Sequence, residues 1–494
     1  MRTLFITQEL VPYQATGGMA VVSRDLPAAL AERGFPHTYL LPYVAGVTRL
    51  APDAPREALA RRAVRVNGVD YPYELWAVTG VEGEKLLFVA QETIFGGALY
   101  DDRFRLHRNI VFGDAALAYL ARRPGSYGMV HALDQLSALS LAYVRAGAPG
   151  YRLLLTILSA EYDFALGALV AEADFTAKPA VTALLGADYR ERSAIELGLS
   201  IADRATTSSP AYALDLAERY AAVLADAPGK LVGIEQGIDA RLWDPSADDR
   251  AFRPMAPGSI VADKARNRER LLAALAGQPR FLAASPPVPP GDGAEPVAPP
   301  PITVGFIGRF CRAKGRAALY VLIDALETLP RVQLLLIVPA GAISAVDRGK
   351  LEALCARHQQ LRVINAYDQA FAELAFAGSD LIVMPSEQEP GGLCQKMAMR
   401  MAAVPLVTPT GGLRDSVRDA WTDPVAGDGF VAASIAPEDF LALFRDVAAL
   451  DMDGAAIAAI RRNAMARDVS WRPTVARFAD LYREMTEPAP ALAS

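Results

Sequence analysis

The chain has 494 residues, of which 52% are apolar and 21% are charged, and its formal net charge is −6. Two or three domains are expected at this length. The mild charge disfavours nucleic acid as a partner, and the apolar runs are far shorter than a membrane span. Three scattered cysteines and four histidines predict neither a disulfide framework nor a metal site, and no signal-peptide pattern opens the sequence. A cytoplasmic protein without an integral membrane segment is therefore expected.

The first segment reads as a strand, a glycine loop, a helix and a second strand. Residues 3–7 and 38–41 each predict a short strand, and Gly17 and Gly18 precede an amphipathic stretch at 19–33. This order is typical of the start of a Rossmann-like domain. The glycine pair either binds oxygens of a ligand or only permits a tight turn, and the pattern leaves both interpretations open.

The rest of the first half adds an insertion and further α/β alternation. Residues 44–97 predict an irregular insertion or small meander, and the apolar run 153–158 predicts a buried strand. Another strand leads into Asp134. The pair Ser209-Pro210 predicts a helix start, with serine as the cap and proline in the first turn.

A stretch rich in proline, glycine and alanine at 286–301 predicts an extended connector, because it can bury little apolar surface. We place the domain boundary there. The predicted domains are therefore 1–285 and 302–470, joined by this linker. Strand and helix patterns restart directly after it, with a strand at 302–307.

The second domain carries the strongest motif. Two short apolar runs, 381–384 and 405–407, each lead into a glycine pair that opens a predicted helix. Glycines at a helix N-terminus present bare N–H groups and the positive end of the helix dipole, which suit phosphate or sugar oxygens. Glu389 stands just before the first pair, separated from it by Pro390. Two glycine pairs at helix N-termini in one domain, with an acidic residue beside the first, predict a nucleotide-sugar pocket.

Over nearly its whole length the chain resembles bacterial glycogen synthases and plant starch synthases. These are retaining glucosyltransferases with the GT-B fold, an α/β architecture of two Rossmann-like domains facing each other across a deep cleft. The motifs that agree in order and spacing are Gln8-Glu9, Gly17-Gly18, Leu26-Pro27, Thr207-Ser208-Ser209-Pro210, Gly237-Ile238-Asp239, Trp243-Asp244-Pro245, Asn267, Gly308-Arg309, Lys314-Gly315, Met384-Pro385-Ser386, Glu389-Pro390-Gly391-Gly392-Leu393, Thr410-Gly411-Gly412-Leu413 and Ser470-Trp471.

The resemblance implies roles for individual residues. Arg309 and Lys314 would hold the donor diphosphate, because fixed cations stabilise the charge that grows on a departing nucleotide without a metal ion. Glu389 would contact the hydroxyls of the donor sugar, Tyr367 would lie on the nucleobase, and Asp134 would serve the acceptor side. The other donor-binding residues implied are Gly17, Gly18, Gly391, Gly392, Leu393, Thr410, Gly411 and Gly412. The segment 471–494 would pack back onto the first domain.

Three positions of the first domain depart from the family pattern. Ala15 replaces a lysine, and Leu158 and Ser159 stand where a His-Asn pair is usual. Leu133-Asp134 replaces a His-Asp pair, and Gln135 follows where an aromatic residue is usual. In the second domain, Met397 stands eight residues after Glu389, where many related transferases carry a second acid. The donor motifs are nearly complete, whereas the acceptor motifs are altered.

Three hypotheses follow. The first is an active retaining glycosyltransferase with a nucleotide-sugar donor such as ADP-glucose or UDP-glucose, no cofactor, and a glucan or another carbohydrate as acceptor. The second is a catalytically impaired relative that binds nucleotide sugar or glucan as a scaffold or regulator. A nucleotide-sugar epimerase ranks last, because no acid/base pair for it is evident in the sequence. The sequence leaves the oligomeric state open.

Overall fold

The computed structural model describes residues 2–51, 53–168, 179–248, 250–287 and 300–486. The chain divides into two compact units: unit 1 comprises Met1–Ile234 and Trp471–Ser494, and unit 2 comprises Glu235–Ser470. Across the described residues, no helix combines the length and the hydropathy that a membrane span requires.

The strands form two sheets, one in each unit. Strands β1–β9 belong to unit 1 and strands β10–β16 to unit 2. Their bounds are β1 Thr3–Ile6, β2 His37–Tyr43, β3 Glu57–Val66, β4 Val69–Thr79, β5 Lys85–Ala90, β6 Met129–Leu133, β7 Arg152–Ile157, β8 Arg204–Thr207, β9 Leu231–Gly233, β10 Phe281–Leu282, β11 Ile302–Ile307, β12 Val332–Ile337, β13 Leu361–Ile364, β14 Leu381–Met384, β15 Val404–Val407 and β16 Phe430–Val431.

Helices connect most of the parallel strands. Helices α1–α8 and α17 belong to unit 1, and the others belong to unit 2. Their bounds are α1 Gly18–Ala31, α2 Glu92–Phe95, α3 Arg105–Ala121, α4 Ser140–Gly147, α5 Pro179–Leu185, α6 Ala194–Ile201, α7 Pro210–Arg219, α8 Ala221–Leu224, α9 Ile260–Leu275, α10 Arg316–Ala325, α11 Ala345–Arg357, α12 Gln369–Gly378, α13 Cys394–Arg400, α14 Gly412–Ser416, α15 Pro437–Ala448, α16 Ala455–Ala466 and α17 Trp471–Thr486.

The sheet of unit 1 has the strand order β3-β4-β5-β2-β1-β6-β7-β8-β9. In this sheet order, neighbouring strands from β5 through β2 and β1 to β9 pair in parallel. Strands β3, β4 and β5 form an antiparallel meander. The meander confirms the insertion predicted at 44–97. Helix α7 starts as predicted, because the Ser209 hydroxyl accepts a hydrogen bond from the amide of Tyr212.

The sheet of unit 2 has the order β10-β13-β12-β11-β14-β15-β16, and its neighbouring strands pair in parallel. Both faces are buried: Leu334 and Leu336 of β12 join one hydrophobic cluster, whereas Leu335 and Ile337 join another. Successive side chains of a strand point to opposite faces, so this alternation requires helices on both sides. The predicted α/β class with two Rossmann-like units is confirmed.

The predicted boundary at 286–301 is wrong, because residues 235–285 belong to unit 2. In helix α9, the Lys264 ammonium donates to the carbonyl oxygens of Phe376 and Ala377 at the end of α12. Strand β10 pairs with β13. The proline-rich stretch therefore connects two strands of one sheet, and residues 288–299 of it lie outside the described residues.

The terminal helix α17 belongs to unit 1, in agreement with the packing that the resemblance implies. The Trp471 indole N–H donates to Asp25 Oδ2 over 2.9 Å. The Tyr482 hydroxyl lies 2.8 Å from His131 Nδ1 in the centre of the sheet. Residues 487–494 of the predicted terminal segment lie outside the described residues.

The buried imidazole of His131 makes the stability of unit 1 dependent on pH. Burial lowers the pKa of His131 from 6.5 to about 3. Between these two values the unfolded state binds the additional proton, so stability falls as the pH falls. The expected loss from His131 between pH 7 and pH 5 is about 2 kcal/mol. Chemical denaturation of the wild type and of His131→Gln at both pH values checks this.

The variant is expected to be less stable at pH 7 but to lose less stability on acidification. The variant should still lose some stability on acidification, because burial also lowers the pKa of His37 to about 4. Equal losses in the two proteins would exclude His131 as the source of the acid sensitivity.

Unit 2 contains a buried ion cluster at the start of β14. The side chain of Asp380 is fully buried, and its Oδ1 accepts one hydrogen bond from Arg268 and one from Arg461, each 2.9 Å long. Its Oδ2 accepts from the amide and the hydroxyl of Thr303. One carboxylate thus joins helices α9 and α16 to strands β11 and β14.

Candidate active site

Several of the predicted site residues follow the strands where each sheet reverses its order. In unit 2 the chain proceeds from β11 to β12 on one side and returns to β14 on the other. Ligands of open α/β sheets bind outside the carboxyl ends of the strands at such a switch point. Arg309 and Lys314 follow β11, and Glu389 follows β14. In unit 1, Gly17 follows β1 and Asp134 follows β6, the equivalent pair of strands.

Lys314 and Glu389 form the centre of the site in unit 2. The Lys314 ammonium lies 2.7 Å from Oε1 and 2.6 Å from Oε2 of Glu389. The Ser386 hydroxyl donates to the same carboxylate over 3.1 Å. The side chain of Glu389 is 8% exposed and that of Lys314 is 24% exposed. The predicted acid and cation are therefore held together at a position that a ligand can reach.

Close backbone packing holds this pair. Gly315 has a φ of +77°, and a Cβ there would lie 1.8 Å from the carbonyl oxygen of Pro385. The amides of Glu387 and Gln388 both donate to the Ala313 carbonyl over 3.0 Å. Only glycine fits at 315, because any side chain would push apart the segments that carry the lysine and the acid.

The second glycine pair packs directly against the first. Gly411 has a φ of +44°, and a Cβ there would lie 2.2 Å from the Glu389 carbonyl oxygen. The Gly412 amide donates to that oxygen over 2.9 Å. The Thr410 hydroxyl donates to the carbonyl oxygen of Glu387 over 3.3 Å. The Gly412 N–H therefore holds the two loops together, and the donor-binding role of Gly412 stays a prediction.

Other amides of the two loops remain available. The N–H groups of Gly391, Gly392, Leu393 and Gly411 have no acceptor within the described part of the chain. The Gln395 amide group holds the first loop by donating to the carbonyl oxygens of Gly391 and Gly392. Fixed, unpaired N–H groups beside a cation form an anion-binding surface.

Arg309 follows strand β11, and Tyr367 follows strand β13. Arg309 is half-buried two residues beyond β11, and its carbonyl oxygen accepts from the Cys311 amide in the turn that leads to Lys314. Tyr367 is 51% exposed, and its hydroxyl donates to Gln369 Oε1 over 3.1 Å. Its predicted contact with a nucleobase remains a prediction, for which the half-exposed ring offers a suitable face.

In unit 1, Asp134 is buried in a left-handed backbone conformation with a φ of +60°. Its Oδ1 accepts from the amides of Leu158, at 2.5 Å, and Ser159, at 3.2 Å. Burial raises the pKa of this carboxyl group to about 7, against the opposing effect of the two amides. Asp134 can therefore change its protonation state near neutral pH.

The glycine loop of unit 1 is held by Glu9. The carboxylate of Glu9 accepts from the amide and the hydroxyl of Thr16, both at 2.7 Å, and from the Gly17 amide at 3.2 Å. The Tyr100 hydroxyl also donates to it. The Gly17 amide thus has an acceptor within the protein, and its predicted contact with a ligand stays a prediction. Gly18 is the first residue of helix α1.

The three departures from the family pattern lie in unit 1. Ala15 is exposed beside the glycine loop, whereas Leu158 is buried in a hydrophobic cluster. Gln135 is buried directly after Asp134, and its side-chain oxygen has no partner among the described residues. Of these three side chains, only that of Ala15 is exposed.

A pair of substitutions separates the conformational role of Asp134 from its charge. Asparagine tolerates the left-handed conformation and its side-chain oxygen can accept from Leu158 and Ser159, whereas alanine does neither. We expect Asp134→Ala to lower the free energy of unfolding by about 2 kcal/mol more than Asp134→Asn. Thermal unfolding of both variants checks this, and equal destabilisation would contradict it.

Sequence reasoning missed the supporting residues. Ser386, Gln395 and Glu9 each hold a site residue or loop through hydrogen bonds. Gln395 is a polar residue in the short helix that follows a glycine pair, and this position is a signal that its side chain holds the loop. Nothing in the sequence indicates that Glu9 would accept the amide hydrogen bonds of a loop seven residues away.

Known proteins match the chain along its length. The family model described as the starch synthase catalytic domain matches residues 2–227. A glycogen synthase of Rhodopseudomonas palustris is 30% identical over 98% of this chain and 97% of its own. A glycogen synthase of Anaeromyxobacter sp. is 29% identical over 99% of this chain and 100% of its own. The catalytic domain of starch synthase IV from Arabidopsis thaliana superposes with a TM-score of 0.78 at 23% identity, covering 98% of this chain and 99% of that domain.

Two parallel-sheet units, with candidate donor residues at the carboxyl ends of the strands, define a glycosyltransferase of the GT-B fold, and the superposition on the starch synthase supports that fold. The full-length match to a 30% identical glycogen synthase identifies the family more closely. The chain belongs to the glycogen and starch synthase family.

Proposed function

We propose that the protein transfers a hexose, glucose being the first candidate, from a nucleotide sugar to a glucan or another carbohydrate acceptor. The observation that carries this proposal is the Lys314–Glu389 pair beside the unpaired amides of Gly391, Gly392 and Gly411. This arrangement offers a fixed cation and N–H donors for a diphosphate and a carboxylate for sugar hydroxyls.

The relatives favour sugar transfer over the catalytically impaired alternative, because they are glycogen synthases that match over almost the whole chain. The starch synthase IV domain is bound to ADP and acarbose. That complex supports an adenosine diphosphate sugar as the first donor to test and a glucan as the first acceptor.

In the proposed mechanism, Arg309 and Lys314 bind the diphosphate and stabilise the charge on the departing nucleotide. No cofactor or metal ion has a role in it, and the reaction takes place in the cytoplasm. Glu389 orients the donor sugar, and Asp134 lies on the acceptor side. Met397 offers no second carboxylate as a nucleophile. An acceptor hydroxyl therefore attacks from the face that the nucleotide leaves and gives its proton to the departing diphosphate, which retains the anomeric configuration.

The test is a transfer assay with purified protein. ADP-glucose, UDP-glucose and other nucleotide sugars are each incubated with a malto-oligosaccharide, and NMR reports the anomeric configuration of the product. We expect transfer with retention from at least one donor. Neither transfer nor hydrolysis from any donor would overturn the proposal. Donor binding without transfer would instead support the impaired alternative.

A further inference from the structure

Unit 2 contains a cavity of about 480 Å³ that the proposed reaction does not use. Arg312, Arg316 and Lys350 line it, and Tyr320 and Val346 add apolar surface. Glu387, which also lines the cavity, belongs to the loop that carries Glu389. The cavity therefore adjoins the candidate donor site but has its own set of cations.

The two acids of the cavity are already paired. Asp347 accepts from Arg316 at 2.9 Å, from the Tyr320 hydroxyl at 2.8 Å and from the Ser344 hydroxyl at 2.6 Å. Its side chain is 6% exposed, so little of this carboxylate faces the solvent. Glu387 accepts from Arg312 Nε at 3.0 Å.

The cations, by contrast, keep unused hydrogen-bond donors. Arg312 and Arg316 each use one guanidinium nitrogen for a carboxylate, and in the described ranges their other nitrogens have no acceptor. Lys350 has no carboxylate partner in the same ranges, and its ammonium lies 5.8 Å from the centre of the Tyr320 ring. Three cations against two carboxylates leave a surplus positive charge, and several N–H groups are available to a ligand.

We propose that this cavity binds a phosphate monoester of the size of a sugar phosphate. The planar guanidinium groups of Arg312 and Arg316 match phosphate oxygens, and Lys350 adds a third charge. The cavity volume lies within the ~300–1,000 Å³ that is usual for small-molecule sites. Tyr320 and Val346, the latter 69% exposed, offer apolar contact to the organic part of the ligand.

A ligand here would reach the donor site through Glu387. The Glu387 amide donates to Ala313 next to Lys314, and its carbonyl oxygen accepts from the Thr410 hydroxyl. A phosphate group on Arg312 competes with the Glu387 carboxylate, so it loosens one contact between these segments. The affinity for the donor should then depend on the phosphate monoester; this coupling, unlike the binding itself, rests on the proposed function.

Calorimetric titration of the full chain with glucose 1-phosphate, inorganic phosphate and free glucose tests the binding without any donor. We expect glucose 1-phosphate to bind more tightly than inorganic phosphate, and glucose not to bind. The double variant Arg312→Gln/Lys350→Gln should weaken glucose 1-phosphate binding about tenfold or more. The control Arg357→Gln removes one charge from the same helix outside the cavity and should leave the affinity unchanged.

The variant Lys314→Gln identifies binding at the donor site. If it abolishes glucose 1-phosphate binding while the double variant retains it, the ligand occupies the donor site and the proposal is overturned. Absence of binding to the wild type overturns it equally, and glucose 1-phosphate binding no tighter than inorganic phosphate overturns the size assignment. Because no donor is present, failure of the proposed transfer reaction would leave these results unchanged.

Discussion

Replacing Lys314 by glutamine is expected to lower kcat/KM with the nucleotide sugar by about 10²–10³-fold. The substitution removes the cation that both oxygens of Glu389 hold beside the unpaired loop amides. Glutamine keeps most of the side-chain length but cannot stabilise the negative charge of the departing diphosphate. Initial rates with the preferred donor of the wild type measure the effect.

The double variant Lys314→Gln/Glu389→Gln makes this test more specific. Groups that act as one unit show strongly non-additive effects, so the double variant should be little slower than the slower single variant. Glu352→Gln serves as the control, because its carboxylate is 52% exposed on helix α11 and lies outside the site. A Lys314→Gln protein with more than a tenth of the wild-type activity would contradict the assigned role.

The sequence predicts the fold well where the signals are local. Apolar runs, glycine pairs and the Ser209-Pro210 cap each define a strand end or helix start from a few neighbouring residues. The same local signals place Lys314 and Glu389 after strands β11 and β14. Their contact across 75 residues follows from strand order, because those two strands are neighbours in a Rossmann-like sheet.

The errors arise where non-local contacts decide. The proline-rich composition of 286–301 describes an extended connector, but not whether the connector joins two domains or two strands of one sheet. The contacts of Lys264 with α12 show that α9 belongs to unit 2. Such contacts cannot be predicted from composition. For the same reason the sequence could not show that Gly412 and Gly17 use their amides within the protein.

The second large effect concerns stability. Asp380→Asn is expected to lower the free energy of unfolding of unit 2 by about 3–5 kcal/mol, the usual cost of removing one partner from a buried ion cluster. The side chains of Arg268 and Arg461 are only 4% and 0% exposed. After the substitution, these two guanidinium groups share no charged partner among the described residues, where Arg268 keeps its ion pair with Asp453.

Hydrogen exchange measures this loss within unit 2 even if the two units unfold separately. The amides of β11, β14 and α16 should lose protection in Asp380→Asn, because the carboxylate joins these elements, whereas the sheet of unit 1 should keep its protection. Glu327→Gln is the matched control, since its ion pair with Arg357 is exposed on both sides and such pairs contribute about 0–1 kcal/mol. If the two variants lost equal protection, the Asp380 cluster would contribute no more than a surface pair, and packing alone would hold α9 and α16 to the sheet.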